Sequence, residues 1–298
     1  MITADRSFKA GNPRFDLQAG AVDRLEALYW GPGAWWPHQY LDVGRQDIDV
    51  VSVQDPFWRG LVGLVLARRF KARFNVQVHA DLEAQNFLKR LIARFVLLRA
   101  DSIRVVSEHL KKQLRNYGPR RSIVTVLPVF VDVRRFKNVQ RALDERPMVL
   151  WAGRFEDEKD PLRALAVFRK VREKGIDATL VMLGAGSLEQ KLRVKARDLP
   201  VEFPGWHDTA PYLARAHVVL STSRAESWGA SIVEALAAGV PVVAPDVGIA
   251  REAGATVVSR EQLADAVVEA IRTRAQGALK LNLPSREAWV TAWQKTLL

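Results

Sequence analysis

Residues 218–243 begin with Val218-Val219-Leu220 and cross a polar stretch to Glu226-Ser227-Trp228-Gly229-Ala230-Ser231-Ile232-Val233-Glu234. They continue as Ala235-Leu236-Ala237-Ala238-Gly239-Val240-Pro241-Val242-Val243. The first apolar triplet suits a short buried strand. Gly229 and Ser231 open a helix, and Gly239 and Pro241 end it before the next apolar run. Strand, loop, helix and strand in this order make one unit of a parallel sheet.

Outward from this unit the same alternation continues. In the first half the apolar runs are Asp49–Val53, Phe74–Val78, Ile103–Val106 and Ile123–Leu127. In the second they are Met148–Trp151, Thr179–Leu183, Val201–Phe203, Val218–Leu220, Val240–Ala244 and Thr256–Val258. Helical spacing fills Pro161–Gly175, Leu188–Leu199 and Glu261–Ile271. Asn138–Pro147 is polar and contains proline, so it reads as a linker. The expected fold class is α/β, with two Rossmann-like parallel-sheet domains facing a cleft and a compact N-terminal domain. The expected divisions are residues 1–143, 144–282 and 283–298. The last is a helical pattern with Trp289 and Trp293 four apart on one face, which read alone suits a plain cap on the second domain.

Composition bounds the chemistry. The 298 residues include no cysteine, so disulfides and thiolate metal sites are excluded. Five scattered histidines do not suit zinc. No apolar stretch reaches the ~18 residues of a spanning helix, and no basic-then-apolar leader opens the chain, so a cytoplasmic protein is expected. The net charge of +12 is unevenly placed: residues 1–146 hold 25 Lys and Arg against 15 Asp and Glu, the remainder 20 against 18. A basic first half suits an anionic partner, either a membrane surface or a phosphorylated acceptor. Nucleic acid also fits the charge, but no recognition helix, RNA-binding strand motif or zinc module accompanies it, and no nucleic-acid partner is expected.

The chemistry concentrates at strand ends in the second half. Glu226 falls on the loop after its strand, and Glu234 lies inside the helix about a turn further on. Between them the helix N-terminus, at Gly229, Ala230 and Ser231, offers unpaired N–H groups and a partial positive charge. Carboxylates on either side of a phosphate cradle suit a ligand with hydroxyls at both ends and phosphates between, as in a nucleotide sugar. Strand Met148–Trp151 leads into Gly153 and Arg154, with Lys159 and Asp160 just before Pro161. Such cations neutralise a diphosphate, although each alone also suits a solvated surface. Gly184-Ala185-Gly186 and Gly205-Trp206-His207 end the next two strands. Trp206 suits the flank of a base or a packed core.

Taken in order, these stretches resemble the donor domain of a retaining GT-B glycosyltransferase of family 4 (glycosyl transferases group 1). The matching residues are Gly153-Arg154 with Lys159, Gly184-Ala185-Gly186, Tyr212-Leu213 with Ala216, the two glutamate segments, Pro241-Val242-Val243, and Gly248 through Glu252. The first half is similar at Asp49-Val50-Val51, His79-Ala80-Asp81, Pro128, Asp132 and Phe136. It departs from the family at Val129-Phe130 and in a short N-terminal segment, where Ala10-Gly11-Asn12 stands for a glycine-rich loop.

The resemblance implies a hexose-type transfer, with retention, from a UDP- or GDP-linked sugar to a glycan or lipid-linked acceptor, with no cofactor required and no metal. It implies that Glu234 accepts the ribose hydroxyls and that Glu226 holds the donor sugar. Arg154, Lys159 and the amides near Gly229, Ala230 and Ser231 grip the diphosphate, beside Gly153, Gly184 and Trp206. His79 contacts the sugar from the acceptor side, or is only a hydrogen-bonded loop histidine. The resemblance also implies that the helix of residues 283–298 returns to the N-terminal domain. A catalytically inactive sugar-nucleotide or glycan-binding protein and a sugar-nucleotide epimerase of the same fold are the alternatives.

Two segments suit an anionic membrane on the inner face of the plasma membrane. One is Phe87–Arg99, whose Phe87, Leu91, Phe95 and Leu98 share a helix face, with Lys89, Arg90 and Arg94 largely elsewhere; the other is Leu110–Arg121. Packing of the first on its sheet is the simpler reading. Gly33–His38 is an aromatic loop suited to a sugar or an interface.

Overall fold

The computed structural model describes residues 1–4, 8–30, 48–118 and 122–297; the Gly33–His38 loop lies outside them. Two compact units divide the chain, Met1–Phe130 with Pro284–Leu298, and Val131–Leu283. The sequence put the first boundary at 143/144. The structure places it earlier because the helix Val133–Lys137 packs on the helix Ala230–Ala237. The expected linker also lies on the second unit: Arg141 donates to the carbonyls of Ala216 (2.6 Å) and Gly239 (2.8 Å), and Ala142 donates to that of Ala214 (2.9 Å).

The first unit has a six-stranded sheet formed by β1 (Ile2–Thr3), β2 (Leu28–Tyr29), β3 (Val50–Val53), β4 (Arg73–Val78), β5 (Ser102–Val105) and β6 (Ile123–Val126). Its order is β2-β1-β3-β4-β5-β6, all parallel. Strands buried on both faces normally read as continuous apolar runs. Here one face is polar: Ser52 pairs across the sheet with Asn75, Asn75 with Ser102, and Gln77 with Arg104. Their side chains close a buried network, Ser52 Oγ to Asn75 Oδ1 (2.8 Å), Gln77 Nε2 to Ser52 Oγ (3.0 Å) and Arg104 to Gln77 Oε1 (2.8 Å). The helix Arg286–Leu297 covers this face. Asn75 donates to the Thr296 carbonyl (2.8 Å), and the stacked, buried Trp289 and Trp293 pack with Leu17, Ala21 and Leu127. Because nearly every member has a partner, the network stabilises this docking instead of penalising it.

The second unit is built from β7 (Met148–Ala152), β8 (Thr179–Leu183), β9 (Val201–Gly205), β10 (Val218–Leu220), β11 (Val242–Ala244) and β12 (Thr256–Val257). The order is β12-β11-β10-β7-β8-β9, again all parallel. Its core joins Val149, Trp151, Phe155, Phe168, Leu180 and Val218 with Val267 of the helix Leu263–Arg272. The strand order reverses between β7 and β10, and between β1 and β3 in the first unit. Such reversal points open crevices beyond the strands' carboxyl ends, where ligands of open α/β sheets bind.

The helix Phe87–Leu97 faces opposite to its simpler reading. Ile92, Ala93, Val96 and Leu97 are buried, while Phe87 is 82% and Leu91 55% exposed, with Leu88, Phe95 and Leu98 also outward. The helix is apolar on both sides, so periodicity alone could not select its inner face. Leu110–Arg121 differs in another way: the α-helix covers only Glu108–Leu114, a 3-10 turn follows at Arg115–Tyr117, and Leu110, Leu114 and Tyr117 are buried, so among the described residues of this stretch no apolar side chain is left for a membrane. Among the described residues, no helix is long and apolar enough to cross a membrane.

Candidate active site

The loops leaving β7 and β10 at the reversal point of the second sheet carry most of the residues singled out in the sequence. Beyond β7, Gly153 donates to Leu183 O (3.0 Å), Phe155 to Ala185 O (2.9 Å), and Gly184 to Gly205 O (2.9 Å). Gly184 has φ +143°, and a Cβ there would stand 1.8 Å from the Gly153 carbonyl oxygen. Only glycine permits this approach of two backbones. Glu156 ties the same turns together, accepting from the Ser187 hydroxyl (2.7 Å) and amide (2.9 Å). Those bonds hold its carboxyl below the usual range.

Lys159 ends a short 3-10 turn, Asp157–Lys159, and its ammonium forms an ion pair with Glu226 Oε1. Glu226 also accepts from the Ser223 hydroxyl (2.9 Å). Both partners are largely shielded from water, Lys159 at 21% and Glu226 at 11% side-chain exposure, so their attraction is screened less than that of a surface pair. Asp160 holds the loop beneath them. Its carboxylate accepts from Arg163 N (3.3 Å) at the start of the helix Pro161–Glu173 and pairs with Arg224 and Arg260. The Thr222 hydroxyl donates to the Lys159 and Asp160 carbonyls (3.0 and 2.9 Å) and accepts from Trp151 Nε1 (3.0 Å). Arg154 stands apart from this network, 61% exposed and paired with Glu158.

Gly229 (φ +110°) turns the chain into the helix Ala230–Ala237, and no side chain caps it. The amides of Ala230 and Ser231 are thus open to an anion. Glu234, further along, accepts from the Thr209 hydroxyl (2.8 Å). Burial raises its carboxyl above the ordinary glutamate value, and the neighbouring Asp208 adds to this against the Thr209 bond and the Arg135 guanidinium. Trp206 is 70% exposed, outside the core.

The second unit thus holds Gly153, Arg154, Lys159, Gly184, Trp206, Glu226, Gly229, Ala230, Ser231 and Glu234, and joins Lys159 directly to Glu226. His79 belongs to the first unit. There it follows β4, half-buried, with Nε2 3.4 Å from Gln77 Oε1, and lines a cavity. Burial, then the Arg104 and Arg14 guanidinium groups, depress its pKa to about 3, so its ring is neutral at physiological pH. Sequence reading did not find Thr209, Thr222, Ser223 or Arg260. Their partners are distant in sequence or unremarkable in type. Asp160 ahead of Pro161 was a legible helix-start signal.

The arrangement offers cations and open amides for a diphosphate and carboxylates for hydroxyls. Comparison with known proteins gives the family of the chain. Residues 146–273 match the family model of glycosyl transferases group 1, and residues 17–135 that of glycosyltransferase family 4. The chain belongs to this glycosyltransferase family.

It is 25% identical over 253 residues to a GDP-mannose-dependent alpha-(1-6)-phosphatidylinositol dimannoside mannosyltransferase of Mycobacterium tuberculosis, covering 79% of this chain and 65% of that protein. It is 25% identical over 236 residues to the alpha-monoglucosyldiacylglycerol synthase of Streptococcus pneumoniae, covering 68% and 53%. The chain therefore spans about half to two thirds of these relatives' lengths. Among solved structures it is similar to HepE of Anabaena in complex with UDP-glucose (TM-score 0.66, 16% identity, 83% of this chain and 77% of that one). It is also similar to sucrose-phosphate synthase of Thermosynechococcus elongatus (TM-score 0.66, 17% identity, 100% and 83%). The fold is GT-B.

Proposed function

We propose that the chain transfers a hexose, with retention, from a UDP- or GDP-linked sugar to a glycan or lipid-linked acceptor. The observation that carries this reading is the shielded Lys159–Glu226 pair beside an uncapped helix, with Glu234 further along it, at the reversal point of the second sheet. In the proposed division of labour the second unit takes the donor and the first the acceptor.

The reaction breaks the bond between the sugar's anomeric carbon and the diphosphate oxygen, and the nucleoside diphosphate leaves with the electron pair. The acceptor hydroxyl oxygen forms the new bond to that carbon from the same face, and its proton passes to the departing diphosphate oxygen. Lys159, Arg154 and the amides of Ala230 and Ser231 stabilise the charge that grows on the departing diphosphate. Glu226 orients Lys159 and holds donor hydroxyls, and Glu234 accepts from the ribose. Names of relatives that act on GDP-mannose, and a neighbour holding UDP-glucose, support a nucleotide diphosphate donor.

The test is a panel of UDP- and GDP-hexoses, followed first by thermal shift, since a bound donor raises stability by mass action. Release of nucleoside diphosphate with glycosylated acceptor supports transfer. Donor binding without release selects the inactive binding protein, and a changed sugar still attached to its nucleotide selects the epimerase.

The acceptor side of the reading includes an anionic membrane. On the helix Phe87–Leu97 the exposed Phe87, Leu88, Leu91 and Phe95 stand with Lys89, Arg90 and Arg94, and Arg99 lies 3.7 Å over the Phe95 ring. Trp58, half exposed, opens the neighbouring helix Trp58–Phe70, which carries Arg68 and Arg69. Apolar side chains among cations suit an interface of anionic lipid. Binding to phosphatidylglycerol vesicles is expected at low salt and should fade as salt rises. Replacing Lys89, Arg90 and Arg94 with Gln is expected to weaken it by about 1 kcal/mol per cation. Co-sedimentation checks this. No binding at low salt would remove the membrane reading and leave the transferase reading in place.

A further inference from the structure

The first unit contains a cavity of about 240 Å³, and apart from His79 its lining has no part in the donor reading. It opens at the reversal point of the first sheet. Ala4 follows β1, Gln54 and Asp55 follow β3, and His79 follows β4, so the strands' carboxyl ends form its floor. Phe8, Phe130 and Trp289 contribute aromatic walls.

Among the described lining residues, Arg14, Arg59 and Arg104 stand with one carboxylate, that of Asp55, which is paired with Arg59. Arg104 is the unusual member, only 2% exposed. It donates to the Leu127 carbonyl (3.0 Å), the Pro128 carbonyl (2.8 Å) and Gln77 Oε1 (2.8 Å), and lies 5.2 Å from the Trp289 ring centroid. All of these are neutral, and among the described residues no carboxylate forms an ion pair with it. Desolvation lowers its pKa to about 9, which leaves it charged at neutral pH. A buried charge without a counter-ion is destabilising, so the fold keeps here a cation that packing alone would replace.

A second observation is independent of the charge. Gln18, 6% exposed, also lines the cavity, and its Oε1 has no hydrogen-bond partner. A buried acceptor left unpaired carries an uncompensated desolvation cost, which a hydroxyl donor from a ligand would offset.

We propose that this cavity binds the phosphate-bearing polyol head of the acceptor, with Arg104 and Arg14 as cations for the phosphate and Gln18 Oε1 accepting from a hydroxyl. The proposal rests on the transferase reading and gives its acceptor a chemical class. Planar guanidinium groups match phosphate oxygens in paired hydrogen bonds, and aromatic walls suit the C–H face of a ring. A volume of about 240 Å³ suits one ring, not a chain of sugars. The neutral His79 ring and the Gln54 and Gln77 amides leave room for further hydroxyl contacts.

The test titrates the full chain with myo-inositol 1-phosphate, glucose 6-phosphate, their neutral parent polyols and glucuronate, by calorimetry. Vesicles of phosphatidylinositol in neutral lipid form a separate arm, to distinguish a lipid head group from a free sugar phosphate. Binding of a phosphorylated polyol, or of the vesicles, at least tenfold more tightly than the parent polyol or neutral vesicle is expected. Arg14→Gln lies at an exposed helix position, and Gln18→Glu places a like charge in the cavity without changing its size. Each should weaken the phosphate ligand by about tenfold or more, the scale of one charge-assisted contact. Arg104→Lys keeps the charge and should retain part of the affinity, whereas Arg104→Gln should lose it. Far-ultraviolet circular dichroism checks that each variant folds.

Equal affinity for parent polyol and phosphate, a preference for glucuronate, or unchanged affinity in folded Arg14→Gln and Gln18→Glu would overturn the proposal. UDP and GDP binding is measured in the same preparations. Intact donor binding and transfer without phosphate recognition defeats this inference alone, while phosphate recognition without transfer defeats the transferase reading and leaves the cavity's ligand in place.

Discussion

Replacing Lys159 with alanine is expected to lower turnover by on the order of 10²- to 10³-fold, with a much smaller change in donor affinity. Lys159 is held by Glu226 in a largely water-shielded pair, on a turn fastened by Thr222 and Asp160. A cation fixed in this way needs little reorganisation when charge grows on the leaving diphosphate, and its effect is therefore greatest in the transition state. The equivalent change at Arg154 is expected to be milder, because that side chain is exposed and already paired with Glu158. Glu226→Gln should also reduce turnover. The double variant should lose less than the product of the two single losses, since one residue orients the other. Steady-state kcat and an equilibrium donor Kd separate these effects. Near-wild-type kcat in Lys159→Ala, or fully multiplicative losses in the double variant, would sink the assignment.

Glu234→Gln is expected to weaken donor binding by roughly tenfold to a hundredfold, the range for hydrogen bonds to a charged group. The protein should nevertheless be as stable as before, or more so, at neutral pH. Burial raises the Glu234 carboxyl above its unfolded value, so the folded state binds this proton more tightly than the unfolded chain does. The resulting stabilisation is full below the unfolded glutamate pKa and is lost as pH rises through the raised folded value. Glutamine carries no charge at any pH and can still accept from the Thr209 hydroxyl. Any gain in Tm should therefore appear at neutral pH and vanish in acid. Melting curves at several pH values, set beside donor titrations, check both halves. A large loss of Tm at neutral pH with unchanged donor affinity would show that Glu234 is structural instead.

Much of the arrangement in the second unit was legible because it is local. Glu226, Gly229 and Glu234 lie on one βα unit, and strand, loop and helix follow from their own residues. Thr179–Leu183 and Val218–Leu220 form as strands over the spans their apolar runs indicate. The two-residue strands β1 and β2 were not legible, because a pair of residues carries no periodicity. Yet β1 sets the reversal point of the first sheet, and with it the place of the cavity.

By itself the sequence determined two parallel-sheet halves, the order of the loops at the strand ends of the second half and the excess of cations in the first half. These depend on local apolar patterning, backbone freedom at glycine and simple composition. The tertiary structure decided which side chains meet: Lys159 with Glu226, 67 residues apart, and Thr209 with Glu234, 25 apart. It also decided that the phenylalanine face of Phe87–Leu97 points outward, and that Ser52, Asn75, Gln77, Ser102 and Arg104 form one polar face beneath the last helix. The physical reason is common to all of them. A helix apolar on both sides, a strand with alternating polar residues and a lone arginine each have more than one acceptable partner locally, and only the packing of distant segments selects among them.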